Sequence, residues 1–160
     1  LMSIDGFYND SPKDFDERIV ILDRISDPGN LGTIIRTCAW FGVKSIMLSE
    51  NSADVFNYKC VRSSVGGHFL IRNLAYFSYD SINEFLSSRN IEVLSAGLDG
   101  DVMSEIIQPS KWGLVLGSEA HGVTGNIKAN RKVTIANEGK MESLNVSVAA
   151  GILLNELTKE

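Results

Sequence analysis

The chain has 160 residues, of which 44% are hydrophobic and 22% are charged, and these values are typical of a globular protein with one domain. No apolar run approaches the roughly 20 residues that a membrane span needs, and the N-terminus lacks the pattern of a signal peptide. The net charge of −5, from 15 basic and 20 acidic residues, counts against binding of nucleic acid through a uniformly basic surface.

The two cysteines, Cys38 and Cys60, have neither CxxC nor Cys/His spacing. The sequence therefore indicates neither a zinc site nor any other metal site, and no disulfide framework. A reducing, cytoplasmic environment fits this cysteine usage.

The first 17 residues are polar and contain the turn signal Asn9-Asp10-Ser11-Pro12. We predict that residues 1–17 are a linker or tail and that residues 18–160 form the domain. The chain begins with Leu1 rather than Met, so we expect a piece of a longer protein.

The first third of the domain predicts a strand, a helix and a second strand. Residues 18–22 form a β-branched run that is typical of a buried strand, and Asp27-Pro28-Gly29 is a turn signal. Residues 45–48 predict the second strand. Between them, apolar residues recur with the period of a helix that has one buried face, with Asn30 as the expected N-cap and Gly42 as the end: Leu31, Ile34, Ile35, Cys38 and Ala39.

The rest of the domain continues this alternation. We predict helices at residues 53–61, 81–89 and 124–130, and strands at residues 69–74, 91–96, 113–116 and 133–136. Residues 97–109 should form a long loop with one helical turn. Strands that alternate with helices predict an α/β fold with an open, mostly parallel sheet flanked by helices.

The last helix is expected to be apolar on almost every side. Such a helix must be buried on every side, which in a chain this short indicates cover by a second copy of the protein. Ser143 and Asn145 stand at its start, where Ser and Asn satisfy free backbone N–H groups. Ser143 is therefore either a simple cap or a functional residue. The apolar positions are Leu144, Val148, Ala149, Ile152, Leu153, Leu154 and Leu157.

In an open parallel sheet, ligands bind in the loops at the carboxyl ends of the strands. Four glycine-containing loops qualify, at residues 24–30, 97–100, 117–122 and 137–143. Gly117 and Gly122 have the spacing of a phosphate loop, but Val123 stands where the Lys should be. No G-x-G-x-x-G follows a strand and no G-x-S-x-G occurs, so neither a dinucleotide site nor a serine hydrolase is favoured.

Three motifs, in this order, resemble those of the SpoU/TrmH family of RNA ribose 2′-O-methyltransferases, of the SPOUT class. The first is Asp27-Pro28-Gly29-Asn30-Leu31-Gly32-Thr33-Ile34-Ile35-Arg36-Thr37. The second is Leu114-Val115-Leu116-Gly117-Ser118-Glu119-Ala120-His121-Gly122, and the third is Ser143-Leu144-Asn145-Val146-Ser147-Val148-Ala149. The chain departs from the usual pattern at Ala120, where Gly is common, and at Ala136, where Pro is common; both concern backbone shape.

The resemblance implies a C-terminal trefoil knot, a homodimer with the active site at the interface, and S-adenosylmethionine as cofactor. It implies transfer of a methyl group to a ribose 2′-hydroxyl of RNA, with ribosomal RNA ahead of transfer RNA. It also implies a separate N-terminal RNA-binding domain in many relatives, and residues 1–17 would be the remnant of its linker. The cofactor would lie against apolar side chains and backbone groups of Ala96, Gly97, Leu116, Gly117, Ile135, Met141 and Leu144.

The catalytic candidates that the resemblance implies are Asn30, Arg36, Glu119, Ser143 and Asn145. Because Arg stays protonated, we expect Arg36 to hold a phosphate and to stabilise the developing oxyanion rather than to act as the base. Asn30 would orient Arg36 or the ribose, or it is only a helix cap. Glu119 would hold the loops or Arg36, or it is a solvated carboxylate. Ser143 and Asn145 would position the methionine end of the cofactor or the ribose.

For the other polar residues, a structural and a functional interpretation both remain open. The clusters Lys59, Arg62, His68, Arg72 and Lys128, Arg131, Lys132 are either solvated faces or local RNA-binding patches. His121 is expected to be an exposed loop residue, and His68 to lie in a turn near the RNA entrance.

Two other functions remain as alternatives. One is a non-catalytic RNA-binding or assembly module with the same fold, which the set of catalytic candidates disfavours. The other is an unrelated nucleotide-binding domain, such as an oxidoreductase, which the missing glycine fingerprint disfavours.

Overall fold

The structure is a computed structural model that describes residues 14–118 and 121–159. Its centre is a six-stranded parallel sheet in the order β3-β2-β1-β5-β4-β6. The predicted α/β fold with a mostly parallel sheet and flanking helices is thereby confirmed, whereas the trefoil knot stays a prediction. The strands are β1 (Arg18–Asp23), β2 (Ser45–Ser49), β3 (Asn73–Phe77), β4 (Glu92–Val102), β5 (Trp112–Gly117) and β6 (Arg131–Thr134).

Four α-helices cover the two faces of the sheet: α1 (Pro28–Trp40), α2 (Tyr58–Ser64), α3 (Tyr79–Ser88) and α4 (Val146–Leu157). Residues of α1, α2 and α4 pack in one hydrophobic core with alternate side chains of the central strands. Residues of α3 pack in a second core on the opposite face, together with Phe15 and Ile127. Successive strand residues point to opposite faces, so β1, with five consecutive buried residues, contributes to both cores.

The start of α1 lies three residues earlier than predicted. Asp27, not Asn30, is the N-cap, and its Oδ1 accepts a hydrogen bond of 2.8 Å from the backbone N–H of Asn30. Pro28 at the first helical position suits the fixed φ of proline, and Gly42 follows the end of the helix with φ +72°. In α4 the N-cap is Asn145, whose Oδ1 accepts from the backbone N–H of Ser147 at 2.9 Å. Ser143 therefore does not cap this helix.

The helix predicted at residues 124–130 is absent from the structure, in which these residues form turns and extended chain. Asn83 of α3 holds them by donating to the carbonyl of Asn126 at 2.8 Å and accepting from the N–H of Lys128 at 2.9 Å. Asn130 exchanges two further hydrogen bonds with the backbone of Val93. Tertiary hydrogen bonds therefore override the local sequence pattern.

Three other predicted elements were displaced along the chain, one of them β6, which spans Arg131–Thr134 rather than residues 133–136. The helix predicted at residues 53–61 begins only at Tyr58, because the hydroxyl of Tyr76 binds both the carbonyl of Ala53 and the N–H of Val55. The strand predicted at residues 69–74 is wrong, since Gly67–Phe69 is a 3-10 turn and β3 begins at Asn73. β4 is longer than predicted, and its pairing with β6 is interrupted between Ala96 and Asp101.

Of the predicted linker, residues 1–13 lie outside the described part of the chain. Residues 14–17 pack against the domain: Phe15 is buried between Phe77 and Phe85, and Asp16 accepts a hydrogen bond of 2.9 Å from Ser45. Among the described residues, no helix combines the length and the apolar character that crossing a bilayer would require.

Candidate active site

The carboxyl ends of β5 and β6, with Ala96, Gly97 and Leu98 in the middle of β4, form one side of a cleft of about 590 Å³. Because all six strands are parallel, these ends meet at one edge of the sheet. The segment from Ile135 to Leu144 and the first turns of α4 close the other side, with Val146, Ala149 and Leu153 pointing to it. The second and third sequence motifs thus form part of the cleft wall, together with residues of β4 and the segment after β6, as expected for a ligand site at this edge.

All seven predicted cofactor-binding residues line this cleft: Ala96, Gly97, Leu116, Gly117, Ile135, Met141 and Leu144. The lining also contains Ala136, one of the two positions that depart from the usual family pattern, and the polar residues Ser118, Thr134, Asn137, Glu138 and Ser143. The sequence therefore located one continuous cavity, and the binding role of these residues stays a prediction.

Backbone packing shapes the loop after β5. A Cβ added to Gly117 would lie 2.1 Å from the carbonyl carbon of Gly122, so only glycine allows this approach. Ser118 and Gly122 form an antiparallel bridge, and Gly122 has φ +65°. The loop thus turns back on itself beside the cleft. Glu119 and Ala120 lie outside the described residues, so the predicted role of Glu119 is untested.

A hydrogen bond of 3.0 Å joins the first and third motifs, from Nδ2 of Asn145 to Oδ1 of Asn30. Asn145 also caps α4 through Ser147, whose N–H and hydroxyl both donate to its Oδ1. This asparagine pair ties the N-terminus of α1 to the N-terminus of α4, immediately beside Leu144 and Val146 in the cleft wall. Asn30 and Asn145 therefore lie together beside the cleft, and their mutual bond and the Asn145 cap of α4 fix the relative position of the two helices.

Arg36 lies apart from the other catalytic candidates. It is exposed on α1, six residues after Asn30, which corresponds to about 9 Å along the helix axis. It does not line the cleft of its own chain, whereas Ser143 does. Its backbone instead packs against Gly67, where an added Cβ would lie 3.1 Å from the Cα of Arg36.

Asp23 is a residue near the site that the sequence analysis missed. It is fully buried at the end of β1, and its carboxylate accepts hydrogen bonds from the hydroxyl of Tyr79 at 2.8 Å and from the N–H of Thr124 at 2.6 Å. Nε of Arg24 lies 3.7 Å from the same carboxylate. Asp23 thereby fastens the segment after the β5 loop to β1 and α3. In the sequence, the feature that could have identified Asp23 is an acidic residue directly after an apolar strand.

The two histidines have different surroundings. His121 is exposed at the edge of the cleft, as expected. His68 is half-buried, with Nδ1 2.7 Å from the Ser64 hydroxyl and Nε2 2.8 Å from the carbonyl of Val55. Its ring thus joins the C-terminus of α2 to the preceding loop and has a structural role.

The thiols are not reactive, and the described acidic groups form no metal site. Cys38 and Cys60 are buried and free, and burial raises the pKa of the Cys60 thiol to about 12. Hence this thiol is not a nucleophile at neutral pH. Within residues 14–118 and 121–159, no three His, Cys, Asp or Glu side chains are grouped so that they could hold a metal ion.

Comparison with known proteins gives the family. The sequence model of the SpoU rRNA Methylase family matches residues 17–155, so the chain belongs to this family. Among curated proteins, it is 36% identical over 147 residues to the 23S rRNA (guanosine(2553)-2′-O)-methyltransferase RlmP of Bacillus subtilis. That match covers 88% of this chain but 57% of the relative, so the chain spans less than two thirds of that protein's length.

Solved structures show the same fold. The AdoMet-bound rRNA methyltransferase from Sinorhizobium meliloti superposes with a TM-score of 0.80 at 32% identity, covering 94% of this chain and 60% of that one. The SpoU methyltransferase AviRb from Streptomyces viridochromogenes, in complex with AdoMet, gives a TM-score of 0.81 at 25% identity, covering 98% and 60%. The resemblance inferred from the three motifs is confirmed.

Proposed function

We propose that this chain is the catalytic domain of an RNA 2′-O-methyltransferase that uses S-adenosylmethionine. The observation that carries the proposal is the cleft beside β4, β5 and β6, which is lined by all seven cofactor-binding residues that the family resemblance implies. Family membership and the AdoMet complexes of two similar structures support it. By the same similarity to a 23S rRNA enzyme, ribosomal RNA is the preferred substrate over transfer RNA, and the cytoplasm is the place of action.

The cleft fits the proposed cofactor in size and chemistry. Its volume of about 590 Å³ lies within the range of roughly 300–1,000 Å³ of small-molecule sites. Leu116, Ile135 and Leu144 offer apolar surface for a flat adenine, and the strand-end backbone offers donors and acceptors for its polar edge. Ser143 and Asn137 supply polar groups for the amino acid end. S-adenosylmethionine supplies an electrophilic methyl group on a sulfonium.

The chain's own residues would bind and orient the RNA. A ribose 2′-hydroxyl must lose its proton to react, and negative charge then develops on its oxygen. The guanidinium of Arg36 suits both this charge and the adjacent phosphate, since its planar fork matches oxyanion geometry. Asn30 and Asn145 hold α1 and α4 together, and Asn30 thereby sets the position of the helix that carries Arg36.

The position of Arg36 supports a homodimer with composite sites. Because Arg36 does not line its own cleft, we infer that an Arg36 from a second copy completes each site. α4 retains exposed apolar side chains in the single chain: Val148 is 50% exposed and Ile152 37%. Packing of a second copy against this face would bury the apolar side chains that the sequence pattern predicts to be buried.

Methyl transfer from tritium-labelled S-adenosylmethionine to ribosomal and transfer RNA tests this function. Arg36→Ala should lower kcat by about 10²–10³ because it removes a preorganised charge from the transition state, whereas cofactor affinity should not change. Arg89→Ala, at the C-cap of α3 on the opposite face of the sheet, is the matched control and should retain full activity. Label at a base rather than a ribose 2′-oxygen would contradict the proposal, as would equal activity of the Arg36 and Arg89 variants.

A further inference from the structure

One segment of the sequence is basic, although the chain as a whole is acidic. Residues 28–79, from α1 through β3, contain five Lys or Arg and two Asp or Glu, whereas the rest of the chain contains 10 basic and 18 acidic residues. No acidic residue occurs between Asp54 and Asp80. The charge is therefore distributed unevenly along the chain, although the net charge is acidic. α2 lies in the middle of the basic segment.

The same segment exposes aromatic rings that a core would normally contain. Tyr58 at the start of α2 is 73% exposed, and Phe69, after its end, is 84% exposed. Arg62 lies over the ring of Tyr58, with its guanidinium carbon 5.2 Å from the ring centroid, and its Nη1 donates to the Tyr58 hydroxyl at 3.0 Å. The ring thus holds an exposed guanidinium in place. We call this the α2 surface, composed of Tyr58, Lys59, Arg62, Val65 and Phe69.

The α2 surface borders the first catalytic motif. Lys59 donates to the α1 cap Asp27 at 2.6 Å, and together with the Asn30 backbone N–H it lowers the pKa of Asp27 below the usual value. At the other end of α2, Gly67 packs on the backbone of Arg36. An RNA strand that reaches Arg36 would therefore pass α2 with its backbone close to Lys59 and Arg62.

We propose that the α2 surface is a docking surface for unpaired RNA, with bases stacking on Tyr58 and Phe69 and phosphates binding Lys59 and Arg62. This inference rests on the proposed function and adds where the substrate strand lies. Aromatic side chains interleaved with cations form the usual platform for single-stranded nucleic acid, because every base has a π-face and every linkage has a charge. No acidic residue occurs from 55 to 79, and Lys59 remains 60% exposed although it pairs with Asp27, so Lys59 and Arg62 together offer positive charge to a polyanion.

Fluorescence anisotropy with a labelled, mixed-sequence single-stranded RNA of about 20 nucleotides, measured over a salt series, tests the proposal. Arg62→Gln should weaken binding by about three- to tenfold and reduce the salt slope by about one. Phe69→Ala should weaken binding by about five- to 100-fold and leave the salt slope unchanged, because stacking involves no counterion. Arg89→Gln is the matched control, since Arg89 also lies over an aromatic ring, that of Phe85 on the opposite face.

Calorimetry of S-adenosylmethionine binding and sedimentation of every variant separate the two proposals. Unchanged cofactor affinity and mass with weakened RNA binding in the α2 variants support the docking surface. Equal RNA affinity of the Arg62 and Arg89 variants would overturn the docking surface. A wild-type chain that binds no RNA at low salt would also overturn it. In both cases the proposed methyltransferase function still stands if the chain binds S-adenosylmethionine. A change of oligomeric state in Phe69→Ala would assign the surface to contacts between copies and also overturn the proposal.

Discussion

At the scale of single residues, Asp23 stabilises the region of the site through charge-assisted hydrogen bonds. Its buried carboxylate receives one bond from Tyr79 of α3 and one from the backbone of Thr124. A buried carboxylate would be strongly unfavourable without such partners, and the donors in turn depend on it. Loss of this side chain should therefore affect both the fold and the loop beside the cleft.

We predict that Asp23→Ala lowers the free energy of unfolding by about 2–4 kcal/mol, because two half-buried donors lose their acceptor. Asp80→Ala, which removes an exposed carboxylate from the first turn of α3, should cost less than about 1 kcal/mol. Urea unfolding measures both. Equal losses of unfolding free energy in the two variants would contradict a stabilising role for the Asp23 hydrogen bonds.

The candidate residues were predictable where the sequence contained a motif, and less so where a role depends on distant contacts. The family resemblance selected seven residues that all line one cleft, of which Leu116, Gly117 and Leu144 lie within the three motifs. It could not show that Asn145 donates to Asn30, 115 residues away in sequence. The cap at Asp27 is local, and an Asp followed by Pro at the first helical position was the available signal. Asp23 was missed because its partners come from two other parts of the chain.

At the scale of secondary-structure elements, α1 and α2 cross at very short distance. A Cβ added to Gly32 of α1 would lie 2.0 Å from Oγ of Ser63 and 2.2 Å from the carbonyl oxygen of Cys60 in α2. Glycine at this position therefore lets α2 pack directly on the helix that carries Asn30 and Arg36. The geometry of the first motif depends on this contact.

Gly32→Ala should destabilise the protein by about 1–3 kcal/mol, even though Ala is the better helix former, because backbone atoms must move to admit the methyl group. Gly125→Ala is the control, since a Cβ there meets nothing within 4 Å, and its effect should stay within about 0.5 kcal/mol. Thermal unfolding of both variants is the measurement. A Gly32 variant as stable as the wild type would mean that α1 and α2 can move apart without loss of unfolding free energy.

The elements with a clear hydrophobic period were predicted well, and those fixed by side-chain hydrogen bonds were not. α1, α3 and the strands β1, β2 and β5 lie within a few residues of their predictions. The region 124–130 looked helical, but Asn83 and Asn130 bind its backbone in another conformation. Local propensity is weak compared with such tertiary contacts, which no pattern within a short window reveals.

At the scale of the whole molecule, the single chain leaves an apolar face on α4 and places Arg36 outside its own cleft. A homodimer accounts for both observations at once. The net charge of −5 further suggests that RNA affinity of this chain alone is low and depends on the local basic segment.

Sedimentation should give wild-type particles of twice 17.5 kDa, and Val148→Glu should shift them to monomers, because a carboxylate in an apolar interface remains unpaired. Ile107→Glu introduces the same charge at an exposed side chain outside the cleft and should remain dimeric. A monomeric wild type, or a dimeric Val148 variant, would contradict the proposed interface.

The central claim is that the cleft binds S-adenosylmethionine, and calorimetric titration of the wild-type chain tests it most directly. We predict micromolar binding of the cofactor and of its demethylated product. Leu144→Arg should weaken binding more than about tenfold, since it places a charge against the apolar wall, whereas Ile107→Arg should bind like the wild type. A folded, dimeric wild type that binds neither molecule would contradict the assignment of the cleft and with it the enzymatic function of this chain.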